Sequence, residues 1–257
     1  MSKSTHLVSV RGRRLEYRRW SGATPDAATM VFLHEGLGSV SMWGDFPARA
    51  ARATGCAVVA YSRFGYGHSD ARVASYPVDY MQEEAQIVLP EFLERLEISE
   101  PILFGHSNGG EIAIIHAGTS ERVKGLVVEA PHVFLEDVTF NAIAAAKVAF
   151  ETTDLPRKLA RHHADAEMAF RGCNDIWLHP DFKHWSIEEY LPRIMCPVLA
   201  IQGCDDEYGT MVHVEKIASQ VRGPVELVKL EHCGHSPHRD QPKAVLEALT
   251  RFVAKLA

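Results

Sequence analysis

Leu103-Phe104-Gly105-His106-Ser107-Asn108-Gly109-Gly110 sets a hydroxyl nucleophile between two glycines at the end of an apolar run, and its reading decides the fold. Pro101 to Phe104 have the character of a short buried strand, and Glu111-Ile-Ala-Ile-Ile-His-Ala continues as a largely apolar helix former. Ser107 is therefore expected on a strand-to-helix turn. In a G-x-S-x-G elbow that turn is sharp and strained, and side chains two residues either side of the serine would collide, which suits Gly105 and Gly109. The amide of Asn108 then falls in the first turn of a helix, where unpaired N–H groups and the positive end of the dipole can meet an oxyanion. A motif this short also occurs in ordinary glycine-rich turns. The rest of the chain has to supply a base, an acid and a second oxyanion donor.

The 257 residues suffice for one domain, or one domain with an insertion. Hydrophobic content of 46% beside 23% charged residues is that of a soluble globular protein. A net charge of −6 argues against nucleic acid or an anionic membrane as a main partner. The arginines at 11, 13, 14, 18 and 19 flank a turn at Gly12 and read as the solvated face of a hairpin. The longest apolar runs fall far short of a spanning helix, and Met-Ser-Lys-Ser-Thr-His lacks the apolar core of a secretory signal, so the expected location is cytoplasmic. The five cysteines are scattered, without a C-x-x-C pair, as expected of reduced thiols.

Strand patterns occur at 6–10, 15–20, 30–33, 57–61, 101–104 and 123–130, with helical patterns at 41–54, 79–96 (kinked at Pro90) and after the elbow. Such alternation predicts a mostly parallel sheet covered by helices on both faces. The regularity breaks at 132–192, where helices are expected at 140–150, 155–169 and 187–191 and aromatics concentrate, among them Phe134, Phe140, Phe150, Phe170, Trp177, Phe182, Trp185 and Tyr190. This segment reads as a helical cap over the C-terminal ends of the strands, and residues 1–131 and 193–257 as the core. Strand patterns resume at 197–201 and 225–230, completing eight, and a last helix is expected over 242–257.

Two strand ends carry the missing groups. Gly203-Cys-Asp-Asp follows the seventh strand and Cys233-Gly-His-Ser-Pro-His the eighth, which gives the chain order Ser…Asp…His. In that order, and over essentially its whole length, the chain resembles serine esterases of the α/β-hydrolase fold. The resemblance implies Ser107 as nucleophile, His235 as general base and Asp206, in the family's Gly-x-x-Asp pattern, as the acid, with Asp205 the alternative. It implies the amide of Asn108 as one oxyanion donor and that of Gly36 as the other, by position in the loop after the third strand. That loop reads His34-Glu35-Gly36-Leu37-Gly38 where the family has His-Gly-x-Pro-Gly. Glu35 thus puts a carboxyl near the oxyanion site, either to hold the loop or to touch substrate. His132, Trp177 and Trp185 are further candidates for substrate contact.

The implied chemistry is hydrolysis of a small, largely apolar or aromatic carboxylic ester through an acyl-enzyme, with no cofactor. A carbon–carbon bond hydrolase of ring-cleavage products and a ligand receptor on the same fold remain alternatives. Epoxide hydrolase and haloalkane dehalogenase chemistry is disfavoured, because those relatives carry aspartate at the elbow. Clusters such as His232, His235 and His238 with Cys233, or His162 and His163 with Asp165, lack the defined spacing of a metal site, and none is expected. The oligomeric state stays open, a homodimer included.

Overall fold

A computed structural model of the chain describes residues 5–256. Eight strands form one sheet: β1 (His6–Val10), β2 (Arg13–Trp20), β3 (Thr29–Leu33), β4 (Ala57–Tyr61), β5 (Ile102–His106), β6 (Gly125–Glu129), β7 (Val198–Gly203) and β8 (Val225–Leu230). Their order is β1-β2-β4-β3-β5-β6-β7-β8, with β2 antiparallel to both of its neighbours, β1 and β4, and the strands from β4 to β8 in that order parallel to one another. This is the α/β-hydrolase fold. The strands at its centre are buried from end to end, which is why they read as unbroken apolar runs rather than alternating ones.

Side chains alternate between two cores. Met30, Phe32, Val58, Phe104, Val127 and Leu199 face α1 (Phe46–Thr54) and the C-terminal helix, meeting Phe46, Val245, Leu249 and Phe252. Val31, Leu33, Leu103, Val128 and Ala200 face the other layer. That layer contains α2 (Tyr80–Glu83) and α3 (Leu89–Arg95), with a π turn over Glu84–Val88 between them, and α4 (Asn108–Ala117). Pro90, where a kink is expected, lies in the first turn of α3 directly after this π turn, which adjusts the ladder where proline, having no N–H, cannot continue it.

Between β6 and β7 lie α5 (Asp137–Thr152), α6 (Leu155–Leu159), α7 (Ala166–Trp177) and short 3₁₀ turns at Pro180–His184 and Glu188–Arg193. The helix expected over 155–169 is broken at 160–165. Asp165 caps α7 through the Met168 amide at 2.8 Å, and His163 turns inward, donating from Nε2 to the Leu37 carbonyl and accepting from the Gly67 amide. The helix expected from 41 begins at Phe46, after a 3₁₀ turn at Val40–Trp43. Beyond β7 come α8 (Val212–Gln220), α9 (Pro237–Asp240) and α10 (Pro242–Ala254). Of these α8 and α9 have no counterpart in the sequence reading, and residue 257 of the expected last helix lies outside the described residues. No described helix is long and apolar enough to cross a membrane.

The register brings five loops together. Leu33 pairs with Gly105, His106 with Glu129, Glu129 with Ile201 and Gly203 with Leu230. The loops carrying Gly36, Ser107, His132, Asp206 and His235 therefore leave the same edge of the sheet side by side, where open α/β sheets bind ligands.

Candidate active site

Ser107 sits at φ 50°, ψ −121°, and its amide donates to the Glu129 carbonyl at 2.8 Å, so the neighbouring strand holds the strained turn in place. A Cβ on Gly105 would enter the backbone of Gly109 and Gly110, and one on Gly109 would run into the carbonyl of Leu33. Both glycines are therefore demanded by backbone-on-backbone packing.

The serine hydroxyl lies 2.9 Å from His235 Nε2, and His235 Nδ1 lies 2.9 Å from each carboxylate oxygen of Asp206. With Asp206 ionised, Nδ1–H must donate to it, which leaves the Nε2 lone pair for the Ser107 hydroxyl. Burial opposes ionisation of Asp206, but the hydrogen bond and charge of His235, with the Tyr208 amide and the charge of His132, hold its carboxyl below the ordinary range. Gln202 Nε2 and the amides of Tyr208 and Gly209 also donate to it. Asp205 is exposed and donates only its amide, to Cys233, so Asp206 is the acid that meets the histidine.

The amides of Asn108 and Gly36 accompany this arrangement at the mouth of a cavity of about 260 Å³. Cys173 Sγ stands 2.6 Å from where a Cβ of residue 36 would lie, so a side chain there would have to displace the sulfur or the loop. Glu35 closes its own loop, accepting the Leu37 amide on Oε2, while its carbonyl takes hydrogen bonds from Arg63 and from the Gly38 amide. Glu35 is also among the residues that line the cavity. His34 is held neutral by burial, donates from Nδ1 to the Glu35 carbonyl and accepts the Arg63 amide on Nε2.

The cavity wall is apolar, with Met42, Ile143, Leu159, Phe170 and Trp177 among its lining. Trp177 is part of this wall. Trp185 is not: it stacks on Phe182 at 5.3 Å behind Trp177, where it packs the segment onto the core. His132 reaches the cavity with both ring nitrogens already engaged, by Glu111 and by the Tyr208 carbonyl. Cys173 is the thiol nearest the oxyanion loop, and burial pushes it up to about 12, so it stays protonated.

The histidine clusters resolve into separate pairs. His235 meets Asp206, His238 meets Glu129 at 2.8 Å, and His162 meets Ser41. Sequence reasoning missed Glu111, Glu207, Tyr208 and Cys173 at the site. Only Glu111 carried a signal, as a charged residue opening an otherwise apolar helical run.

A model of the alpha/beta hydrolase family matches residues 30–248. The chain belongs to this family of hydrolases. It is 24% identical over 173 residues to human serine hydrolase BPHL, a match covering 65% of this chain and 59% of that protein, so the chain spans less than two thirds of this curated relative. Among solved structures, the enol-lactonase from Burkholderia xenovorans LB400 aligns with a TM-score of 0.75 at 20% identity, covering 97% of this chain and 100% of that one. Haloalkane dehalogenase DbeA from Bradyrhizobium elkani USDA94 aligns with a TM-score of 0.78 at 20% identity over 98% of each. At such identities the likeness concerns the fold, which hosts different reactions and does not select a substrate.

Proposed function

We propose that this hydrolase cleaves a small, largely apolar or aromatic carboxylic ester through an acyl-enzyme, with Ser107 as nucleophile, His235 as general base and Asp206 as its orienting acid. The observation that carries the reading is the run of contacts at 2.9 Å from Ser107 Oγ through His235 to Asp206, opening into an apolar cavity. His235 takes the hydroxyl proton as Ser107 attacks the carbonyl carbon. The amides of Gly36 and Asn108 receive the developing oxyanion, and the imidazolium returns its proton to the departing alcohol. Water, deprotonated by the same imidazole, then releases the acid.

The carbon–carbon hydrolase alternative fits less well. Its diketo acid substrates carry a carboxylate, and the cavity is lined by Glu35 and Glu207 with neither lysine nor arginine among the described lining residues. Arg63, buried nearby, spends its guanidinium on the carbonyls of His34 and Glu35.

The deciding experiment compares wild type with Ser107→Ala on p-nitrophenyl acetate and butyrate. Turnover should disappear in the folded variant, and turnover retained there would sink the assignment. A parallel panel of esters and vinylogous diketo acids separates the two bond types.

A further inference from the structure

The contacts around Ser107 close on themselves. From Ser107 Oγ the path runs to His235 Nε2, from His235 Nδ1 to Asp206, and from Asp206 Oδ1 to the Tyr208 amide at 2.8 Å. It crosses the Tyr208 residue to its carbonyl, which accepts from His132 Nε2 at 3.1 Å, and continues from His132 Nδ1 to Glu111 Oε1 at 2.8 Å. Glu111 then returns to the start, because its amide donates to the Ser107 carbonyl at 3.1 Å. The half of this circuit beyond Asp206 is not used by the proposed reaction. It costs the fold a buried carboxyl and a buried imidazole, Glu111 and His132 being 0% and 3% exposed.

The proton positions follow from the partners. A carbonyl can only accept, so His132 Nε2 carries a hydrogen toward Tyr208. Nδ1 and Glu111 Oε1 then share a single proton between them, and the pair is neutral as a unit. The second oxygen of Glu111 accepts from Asn108 Nδ2 at 2.8 Å, and the same amide nitrogen lies 2.7 Å from the Tyr80 hydroxyl. Glu111 thereby fixes the side chain of the residue whose backbone amide faces the oxyanion site. His132 is delivered to this place by Ala130, which holds φ 47° at the end of β6, a conformation rare for a residue with a Cβ.

We propose that the Glu111–His132 pair is a positioning unit that ties the elbow helix to the acid loop, keeping Asp206 in register with His235 and the Asn108 amide aimed at the oxyanion. The proposal rests on the triad reading of the site. His132 and Glu111 touch neither of the reacting atoms; they act through Tyr208 and Asn108.

Glutamine at 111 can serve both side-chain partners, its carbonyl accepting from Asn108 and its amide donating to Nδ1 of a neutral His132, and gives up only the 3.3 Å hydrogen bond that Oε1 accepts from the His132 backbone amide. Glu111→Ala cuts the link. The double variant Glu111→Met with His132→Phe cuts it too, while replacing a buried pair by apolar groups of similar size, a change folds tolerate well. Three readouts apply to each variant: kcat and KM on p-nitrophenyl butyrate, thermal unfolding, and the downfield ¹H resonance of the His235 Nδ1 proton on Asp206. Glu111→Ala and the double variant should lose about a hundredfold in kcat, the order expected of a misplacement near 1 Å, with KM little changed and the resonance shifted or broadened. Glu111→Gln should restore most of the turnover and the resonance.

A double variant that is stably folded and keeps wild-type kcat and resonance would overturn the proposal, leaving the pair a structural feature only. So would Glu111→Gln as impaired as Glu111→Ala, since charge and not position would then be the operative property. The resonance requires no substrate, so it still reports on the link if the esterase reading fails through retained turnover in Ser107→Ala.

Discussion

His106 Nε2 lies 2.7 Å from the backbone carbonyl of His235, so the residue before the elbow serine pins the loop that carries His235. His106 is buried and held neutral, burial being the first cause and the neighbouring His238 and His235 adding to it, which leaves Nε2–H as the donor. On the proposed mechanism the two residues flank the chemistry, one beside the nucleophile and the other bearing the proton acceptor. His106→Ala should therefore lower kcat by about three- to tenfold, the equivalent of about 1 kcal/mol for one lost hydrogen bond, with KM nearly unchanged. Steady-state kinetics on p-nitrophenyl butyrate measure this. A KM effect with kcat preserved would place His106 in binding instead.

Gly36→Ala should cost far more than its size suggests. The new Cβ would meet Cys173 Sγ at 2.6 Å, and relief of that clash displaces the amide proposed to receive the oxyanion. Loss of one such donor is worth about 3 kcal/mol, a hundredfold or more in kcat. Because the obstacle is one sulfur atom, the double variant Gly36→Ala with Cys173→Gly should recover much of the loss. Failure of that rescue would show that the backbone at 36, rather than the contact with 173, is what excludes a side chain.

The contrast between Gly36 and Cys173 shows what the sequence could and could not disclose. Ser107, Asp206 and His235 each sit in a local pattern, a glycine elbow or a strand end, and chain order alone links them. Cys173 is on α7, far along the chain from the loop it abuts, and no local pattern announces the contact. The same holds for the break at 160–165, where His163 leaves the helical path to satisfy Gly67 and Leu37, partners only the tertiary fold supplies. Helix α8 escaped notice because only His213, Val214 and Ile217 of its residues are buried, too sparse a stripe to stand out by periodicity. The central strands β3 to β7 are legible because the middle of a parallel sheet is buried on both faces and writes itself as continuous apolar runs.

The aromatic residues of the 132–192 segment divide by what they touch. Trp185→Ala removes a ring packed against both Trp177 and Phe182 and should destabilise the fold by about 3–5 kcal/mol, with KM of the folded protein unaltered. Trp177→Leu keeps bulk but removes a cavity wall and the Nε1 contact to Tyr80 at 3.3 Å, so the ranking of acyl groups by kcat/KM should change. Denaturant titration and an acyl-chain series separate the two. Equal effects of both substitutions on specificity would contradict the placement of Trp185 behind the wall.

Acid sensitivity should be set by histidines rather than by the carboxylates of the site. Burial lowers His34 and His106 well below their ordinary value and brings His213 down to about 4, beside further lowered histidines at 116 and 163. In the unfolded chain each titrates near an ordinary value of about 6.5. As pH falls from there toward 4, the unfolded state gains protons that the folded state refuses, so stability falls with pH across this window. Asp206 has the depressed value of a paired carboxyl: its contribution is present above an unfolded value of about 3.9 and is lost only as pH falls through the lower folded one. Melting temperature should therefore begin to drop below about pH 6.5, with proton uptake on unfolding detectable by calorimetry in buffers of differing ionisation enthalpy. His213→Gln should flatten the slope while keeping an amide to face Val133 and Glu136, the groups that His213 meets. An unchanged slope in that variant, with no proton uptake between pH 6.5 and 4 in the wild type, would mean these histidines are charged in the folded state.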